Sequence, residues 1–367
     1  MKKVLFLIPN LGGGGAERVL VNLVNNLDKT KYDVTIRTLF NSNINSKYLN
    51  NDVRYIEGKF KQFRGNIHIF KLFSPKFLYK LFVKDKYDIA ISYLEGPTAR
   101  IISGCHDKNT KKVSWIHVEQ DGNKALAHSF RTLKEAKKCY MSYDITVCVA
   151  DTVKQNFLSL VDVDNCMVLY NTNETDKILE LADKPMDKEL SNGINVFSVG
   201  RLTAQKGYDR LINVHKKLID EGILHHIYIL GTGDQEENLA QKINEYNLSN
   251  TFHLLGFNDN PYKFLKAADM FICSSRREGF STAVTESLIV GTPVVSTCCS
   301  GAYELLGYNN EYGIVTENSE EGIYSGLKQM LDNPELLKNY AKQAAIRGQN
   351  FSTEKTVAAV QDMFESL

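Results

Sequence analysis

The sequence predicts an α/β protein of two doubly wound, Rossmann-like domains facing a cleft. Three observations predict it. Short apolar runs rich in Val and Ile alternate with helical patterns along all 367 residues. Most of these runs are continuous rather than alternating, which marks strands buried on both faces of a parallel sheet. A polar, acidic stretch near the middle, followed by a fresh strand, divides the alternation in two, and the length already argues against a single core.

Taken in order, the first strands are expected at 4–9 (VLFLIP), 33–40, 88–93, 113–117 (VSWIH), 144–150 and 166–170. A helix follows the first strand, because Val19, Leu20, Leu23, Val24 and Leu27 recur every three to four positions on one face. The stretch 171–193 (NTNETDKILELADKPMDKELSNG) is polar and carries one proline, so the domains are placed at 1–180 and 181–350. The second series of strands is expected at 195–200, 226–231, 252–257, 270–275 and 293–297. Residues 351–367 read as a helix packing back toward the N-terminal domain, with Ser352 or Thr353 as N-cap and Val357, Val360 and Phe364 on one face.

Composition excludes several classes. Hydrophobic residues make up 43% and charged residues 24%, and the net charge is +1, so no nucleic-acid partner is expected. The seven cysteines form no CxxC pair, which points to a reducing cytoplasm without disulfides or a zinc site. The first apolar run is too short for a signal peptide, and no run reaches the ~18 residues of a membrane span.

Three stretches carry the chemistry. Glycines 12–15 follow the first strand and open a helix, where backbone N–H groups and the helix end favour an anion. GRLTAQKGYDRLI (200–212) places Arg201 and Lys206 in the loop after a strand, two cations suited to a diphosphate. REGFSTAVTESLIV (277–290) carries Glu278 and Glu286, acceptor-only groups that bind vicinal diols. Read alone, each has a plain alternative: a tight turn, two solvated cations, the surface acids of a helix.

Read together with GGAE, GRLxxxKG, LGxG after IYIL, LLGF, SSxxEGF and the E-x7-E spacing before GTPVV, the chain resembles the GT-B glycosyltransferases of family 4 over essentially its whole length. The resemblance implies retaining transfer from a nucleotide sugar. It makes Arg201 and Lys206 the diphosphate ligands, with Gly14, Gly15 and Gly200 close to them. It makes Glu286 the ribose ligand, and puts Glu278 with the backbone of Gly279, Phe280 and Ser281 at the transferred sugar. The base would lie near Gly231, Gly233 and Leu255. His117 matches the family's active-site histidine. The turn YNTNE (170–174) departs from the family's glycine-containing turn, which weakens any role for Asn171.

No metal or other cofactor is expected. The one DxD triplet, Asp162–Asp164, precedes a strand instead of following one and reads as a solvated turn. Leaving-group charge then falls to Arg201, Lys206 and helix N-termini. The resemblance implies attack on the face from which the nucleoside diphosphate departs, its phosphate oxygen taking the acceptor's proton.

Residues 54–86 hold nine Lys or Arg against two acids, with eight Phe or Tyr interleaved. From Pro75, Phe77, Leu78, Leu81 and Phe82 form one helical stripe, and Lys76, Lys80 and Lys84 another. This reads as a surface for anionic lipid, or as a packed helix with snorkelling lysines. The expected protein is therefore a cytoplasmic enzyme held peripherally on the inner membrane face. It moves a hexose or N-acetylhexosamine from a UDP-sugar to a lipid-linked or oligosaccharide acceptor in capsule or other surface glycan synthesis. The alternatives are a GDP-sugar transferase with a soluble acceptor and a non-catalytic sugar-nucleotide-binding subunit. The sequence does not fix the oligomeric state, and a homo-oligomer is compatible with it.

Overall fold

The computed structural model describes residues 1–61, 66–186 and 189–367, the side chains of residues 66 and 67 excepted. The chain divides into two compact units, Met1–Thr172 together with Thr353–Leu367, and Asn173–Ser352.

Among the described residues, the first unit holds seven strands: β1 (Lys2–Ile8), β2 (Tyr32–Thr38), β3 (Arg54–Ile56), β4 (Ile89–Ser92), β5 (Lys111–Ile116), β6 (Ile145–Cys148) and β7 (Cys166–Val168). They pair in parallel in the order β3-β2-β1-β4-β5-β6-β7. Val4 stands opposite Val34 on one side and Ile89 on the other, and Val4 to Ile8 are all buried, as a central parallel strand requires. The helix Gly15–Asn26 lays Val19, Leu20, Leu23 and Val24 into this core, with Leu27 just beyond its end.

The helix Thr353–Glu365 belongs to this unit. Its Phe364 ring packs against Tyr32 (5.3 Å) and Phe6 (6.4 Å). Lys2 Nζ donates to the Phe364 carbonyl at 2.7 Å, and the Tyr32 hydroxyl donates to Glu365 at 2.5 Å.

The second unit holds β8 (Ile194–Val199), β9 (His225–Leu230), β10 (Phe252–Gly256), β11 (Met270–Cys273), β12 (Val294–Thr297) and β13 (Ile314–Thr316). Their order is β10-β9-β8-β11-β12-β13, again parallel throughout. Val196, Ile227, Ile229, Ile272 and Val295 form the core with Leu211, Ile212 and Leu218 of the helix Tyr208–Asp220. In each sheet the chain first runs outward on one side, then crosses to the other side of its first strand. The reversals lie between β1 and β4 and between β8 and β11, the positions where doubly wound sheets take ligands beyond their carboxyl ends.

Three expectations need correction. The strands β3 and β13 were not anticipated; both are edge strands, RYI and IVT, with only two consecutive apolar residues each. The division falls at 172/173 and not at 180/181, because residues expected to link the domains form the helix Thr175–Ala182. That helix belongs to the second unit, burying Ile178 and Ala182 and accepting the Asn260 amide at Leu181 O, 2.8 Å. Residues 187 and 188 of the expected linker lie outside the described residues. The helix Pro75–Phe82 buries only Leu78 and Phe82; Phe77 and Leu81 are exposed, and Lys84 lies past the helix end. Residues 62–65 of the basic stretch lie outside the described residues.

Candidate active site

At the β8/β11 reversal two loops are pressed together. Gly207 makes this possible: its φ is +68°, and a Cβ there would lie 2.3 Å from the Ser274 carbonyl oxygen. Side chain and backbone then lock the loops. Ser274 Oγ donates to Lys206 O (2.9 Å), Gln205 Nε2 to Arg277 O (2.9 Å), and Arg276 N to Gln205 O (2.8 Å). Arg276 closes the set with two 2.7 Å bonds to Asp209.

Inside this frame Lys206 Nζ donates to Glu278 Oε1 at 2.7 Å, and Ser275 Oγ donates to the same oxygen at 2.5 Å. The two charged side chains are 21% and 12% exposed, so the pair is partly desolvated but open on one side. Burial works against the ammonium; the adjacent Glu278 carboxylate prevails and raises the Lys206 pKa above its ordinary value. Burial also pushes the neighbouring Tyr208 phenol up to about 12. Lys206 is therefore a permanent cation held ready for an anion.

Arg201, in the same loop, is exposed, and its side chain has no hydrogen-bond or ion-pair partner among the described residues. Glu286 lies on the helix Thr282–Ile289, which Ser281 caps by accepting the Val284 N–H at 3.5 Å. The Tyr262 hydroxyl donates to Glu286 Oε1 at 3.3 Å. Gly279 and Phe280 are buried ahead of this helix, the Phe280 ring lying 5.9 Å from Phe351.

Gly200, Gly231, Gly233 and Leu255 gather at the carboxyl ends of β8, β9 and β10. The backbones touch there: a Cβ on Gly231 would meet Gly200 O at 2.0 Å, and one on Gly233 would meet Leu202 O at 2.3 Å. Gly231 N donates to Gly256 O at 2.8 Å. Such close backbone approach leaves a flat wall of peptide groups, with Phe257 exposed beside it.

In the first unit, Gly14 and Gly15 stand where the loop after β1 enters its helix. Glu17 folds its carboxylate over Gly14, where a Cβ would lie 2.1 Å from Oε2. His117 follows β5 and is buried against Tyr93, ring centroids 4.9 Å apart. Its backbone N–H donates to Glu95 Oε2 at 3.0 Å, and its Nε2 has no hydrogen-bond partner among the described residues. Burial drops its pKa to about 3, so the imidazole is neutral at physiological pH.

The chain is similar in sequence and fold to known glycosyltransferases. Residues 183–347 match the family described as Glycosyl transferases group 1. A Campylobacter jejuni N-acetylgalactosamine-N,N'-diacetylbacillosaminyl-diphospho-undecaprenol 4-alpha-N-acetylgalactosaminyltransferase is 28% identical over 363 residues, 97% of each chain. The amylovoran biosynthesis glycosyltransferase AmsD of Erwinia amylovora is 23% identical over 94% of each chain. Among solved structures, Anabaena HepE in complex with UDP and glucose superposes over the whole of both chains with a TM-score of 0.77 at 16% identity.

The chain carries a Glycosyl transferases group 1 domain on a GT-B fold.

In this GT-B fold Lys206 and Glu278 come into direct contact, and Arg201 stands on the same loop as Lys206. Glu286 stands on the helix that Glu278 precedes, as its spacing suggested. His117, Gly14 and Gly15 belong to the other unit. Ser275, Tyr262 and Glu95 were missed. Ser275 had a signal, since it lies within the SSxxEGF stretch. Tyr262 and Glu95 had none: 24 and 22 positions separate them from Glu286 and His117, and only the fold joins them.

Proposed function

We propose that this transferase moves a hexose or N-acetylhexosamine from a UDP-sugar to a lipid-linked saccharide during surface polysaccharide assembly, with retention and without a metal. One observation carries the reading: a fixed ammonium (Lys206), a guanidinium with no partner among the described residues (Arg201) and two carboxylates (Glu278, Glu286) stand at the carboxyl edge of one sheet, at its point of reversal. Two cations suit a diphosphate, and two acceptors suit hydroxyls. The names of the relatives support the rest. The Campylobacter enzyme is named for a diphospho-undecaprenol acceptor, AmsD for amylovoran biosynthesis, and HepE was solved with UDP and glucose.

In this scheme the anomeric carbon–oxygen bond to the β-phosphate breaks while the bond to the acceptor oxygen forms. The acceptor's proton passes to the departing phosphate oxygen, so no dedicated base is required. Arg201 and Lys206 offset the charge that develops on the diphosphate. Asp162–Asp164 lies before β7, at the amino end of the sheet and away from the reversal point, which supports leaving it out of the chemistry. The backbone at Gly279 to Ser281 serves as a hydrogen-bonding partner for the transferred sugar.

A thermal-shift panel of nucleotide sugars tests this. A donor at about 100 times its Kd stabilises the fold by roughly 2.7 kcal/mol. UDP and one UDP-sugar are expected to raise Tm. Stabilisation by GDP-sugars alone would replace the donor, and no response to any nucleoside diphosphate would end the proposal.

The acceptor side rests on a surface of the first unit. Leu72, Phe73, Phe77 and Leu81 are exposed, Leu72 by 75%, beside Lys76 and Lys80. The segment bearing them is tied down, Arg100 donating to Phe70 O and Phe73 O (2.8 Å each) and Arg131 to Leu72 O (2.9 Å). The helix Leu133–Tyr140, which follows Arg131, adds Lys134, Lys137 and Lys138, with Met141 exposed beyond it. Apolar side chains ringed by lysines suit an anionic lipid surface. Among the described residues no helix is long and apolar enough to cross a membrane. Replacing Lys76, Lys80 and Lys84 by Glu is expected to release the protein from phosphatidylglycerol vesicles in flotation assays, and unchanged flotation would remove the membrane from the proposal.

A further inference from the structure

Behind the Lys206–Glu278 pair lies a buried cation that no motif of the sequence singled out. Arg210 is 6% exposed. It makes five hydrogen bonds, all to neutral oxygens: Nε and Nη2 to Ser274 O (3.0 and 2.8 Å), Nη2 to Ser275 O (2.9 Å) and to Asn318 Oδ1 (2.6 Å), and Nη1 to Asn318 O (3.3 Å). The adjacent carboxylate, Asp209, is taken by Arg276. A buried guanidinium without a carboxylate is costly to fold around, and an apolar side chain would pack there at less expense.

What Arg210 touches gives the cost a use. The Ser275 carbonyl also accepts from Thr297 Oγ1 (2.6 Å) and Cys299 Sγ (3.1 Å), while the Ser275 hydroxyl holds Glu278. Ser274, whose carbonyl takes two Arg210 bonds, holds the Lys206 carbonyl through its own hydroxyl. Asn318 extends the tie to Arg276 O and Cys298 O. One side chain thus ties the exit of β11 to Asn318, two residues past β13, next to the residues whose hydroxyls hold both members of the charged pair. Among the described residues no carboxylate bonds to it.

We propose that Arg210 is a positioning residue of the anion site: it fixes the Ser274–Glu278 loop and supplies a buried positive field that favours the diphosphate over less charged ligands. This rests on the nucleotide-sugar reading above. No contact between Arg210 and the ligand is required, since a unit charge in a partly buried region acts over about 10 Å with a strength worth roughly tenfold in affinity.

The experiment is calorimetric titration of the full chain and its variants Arg210→Gln and Arg210→Lys with UDP and with UMP, alongside their thermal unfolding. Arg210→Gln keeps hydrogen-bond donors but loses the charge. It is expected to weaken UDP about tenfold while changing UMP by less than about threefold, and Arg210→Lys is expected to restore most of the UDP affinity. Equal losses for UDP and UMP, or unchanged UDP binding, would overturn the proposal. So would a glutamine variant that fails to fold where the lysine variant folds, or failure of both, since the arginine would then serve the fold alone. A wild-type protein that binds no UDP while folding normally refutes the donor reading itself, and this inference with it.

Discussion

Lys206→Met is expected to lower kcat/KM for sugar transfer by about 10²–10³-fold, the usual cost of removing one preorganised electrostatic group from a developing oxyanion. The larger part should fall on kcat, because the diphosphate carries more charge on the leaving oxygen in the transition state than in the bound donor. A second consequence distinguishes this residue from a surface lysine. Without it, the Glu278 carboxylate, 12% exposed, keeps only the Ser275 hydroxyl among its partners described above. That loss should destabilise the fold by about 1–3 kcal/mol. The double variant Lys206→Met/Glu278→Gln removes the stranded charge and should recover Tm while remaining inactive. Recovery of activity with Tm would show that Lys206 serves the fold and not the reaction.

Acidification should weaken the fold through histidines buried in the neutral form. His225 Nδ1 lies 2.9 Å from the Ile223 carbonyl, which only accepts, so the proton is on Nδ1 and Nε2 is bare. His215 Nδ1, 2.8 Å from that Nε2, must therefore donate, and its own Nε2 accepts from the Thr251 hydroxyl at 2.9 Å. Both rings are fully buried. Burial drives His215 down to about 2, the neighbouring His225 adding to the shift; burial also lowers His225, and takes His117 to about 3. These folded-state values lie below the ~6.5 of an unfolded histidine. Their stabilisation is complete above pH 6.5 and is lost as pH falls, at about 1.36 kcal/mol per pH unit for each fully depressed group. From pH 6.5 to 4.5 the His215 share amounts to about 2.7 kcal/mol. Urea unfolding across that range should show a shallower pH dependence for His215→Gln than for the wild type. Identical slopes would mean that His215 takes up its proton in the folded protein.

Much of the fold was legible before any coordinates. All eleven apolar runs became strands; the central ones are conspicuous because a strand covered on both faces is apolar at nearly every position. The edge strands β3 and β13 were not legible, since RYI and IVT offer only two consecutive apolar residues, where β7 lies in the run CMVLY. The helix Thr175–Ala182 was hidden by its composition: four of its eight residues are polar, and only Ile178 and Ala182 are buried. In the helix Pro75–Phe82 the periodicity was legible, but whether its four-residue apolar stripe faces lipid or the core was left open, and the stripe divides between core and surface. Leu78 and Phe82 face the core and Phe77 does not, which no spacing rule separates.

The site divides along the same line. Residue type and loop position were enough to nominate Arg201, Lys206, Glu278 and Glu286, because cations and carboxylates at strand exits are chemically specific and their spacing is local. Their state was a matter of contacts distant in sequence. Lys206 meets Glu278 across 72 positions, Tyr262 meets Glu286 across 24, and Arg210 reaches Ser274 and Asn318 across 64 and 108. Hydrogen bonds and desolvation depend on ångström-scale proximity, and a linear chain does not display proximity between residues a sheet apart. What kind of ligand is called for is therefore written in the residues, while which of them is held, which is charged and which stands free follows from the way β8, β11 and β12 lie side by side.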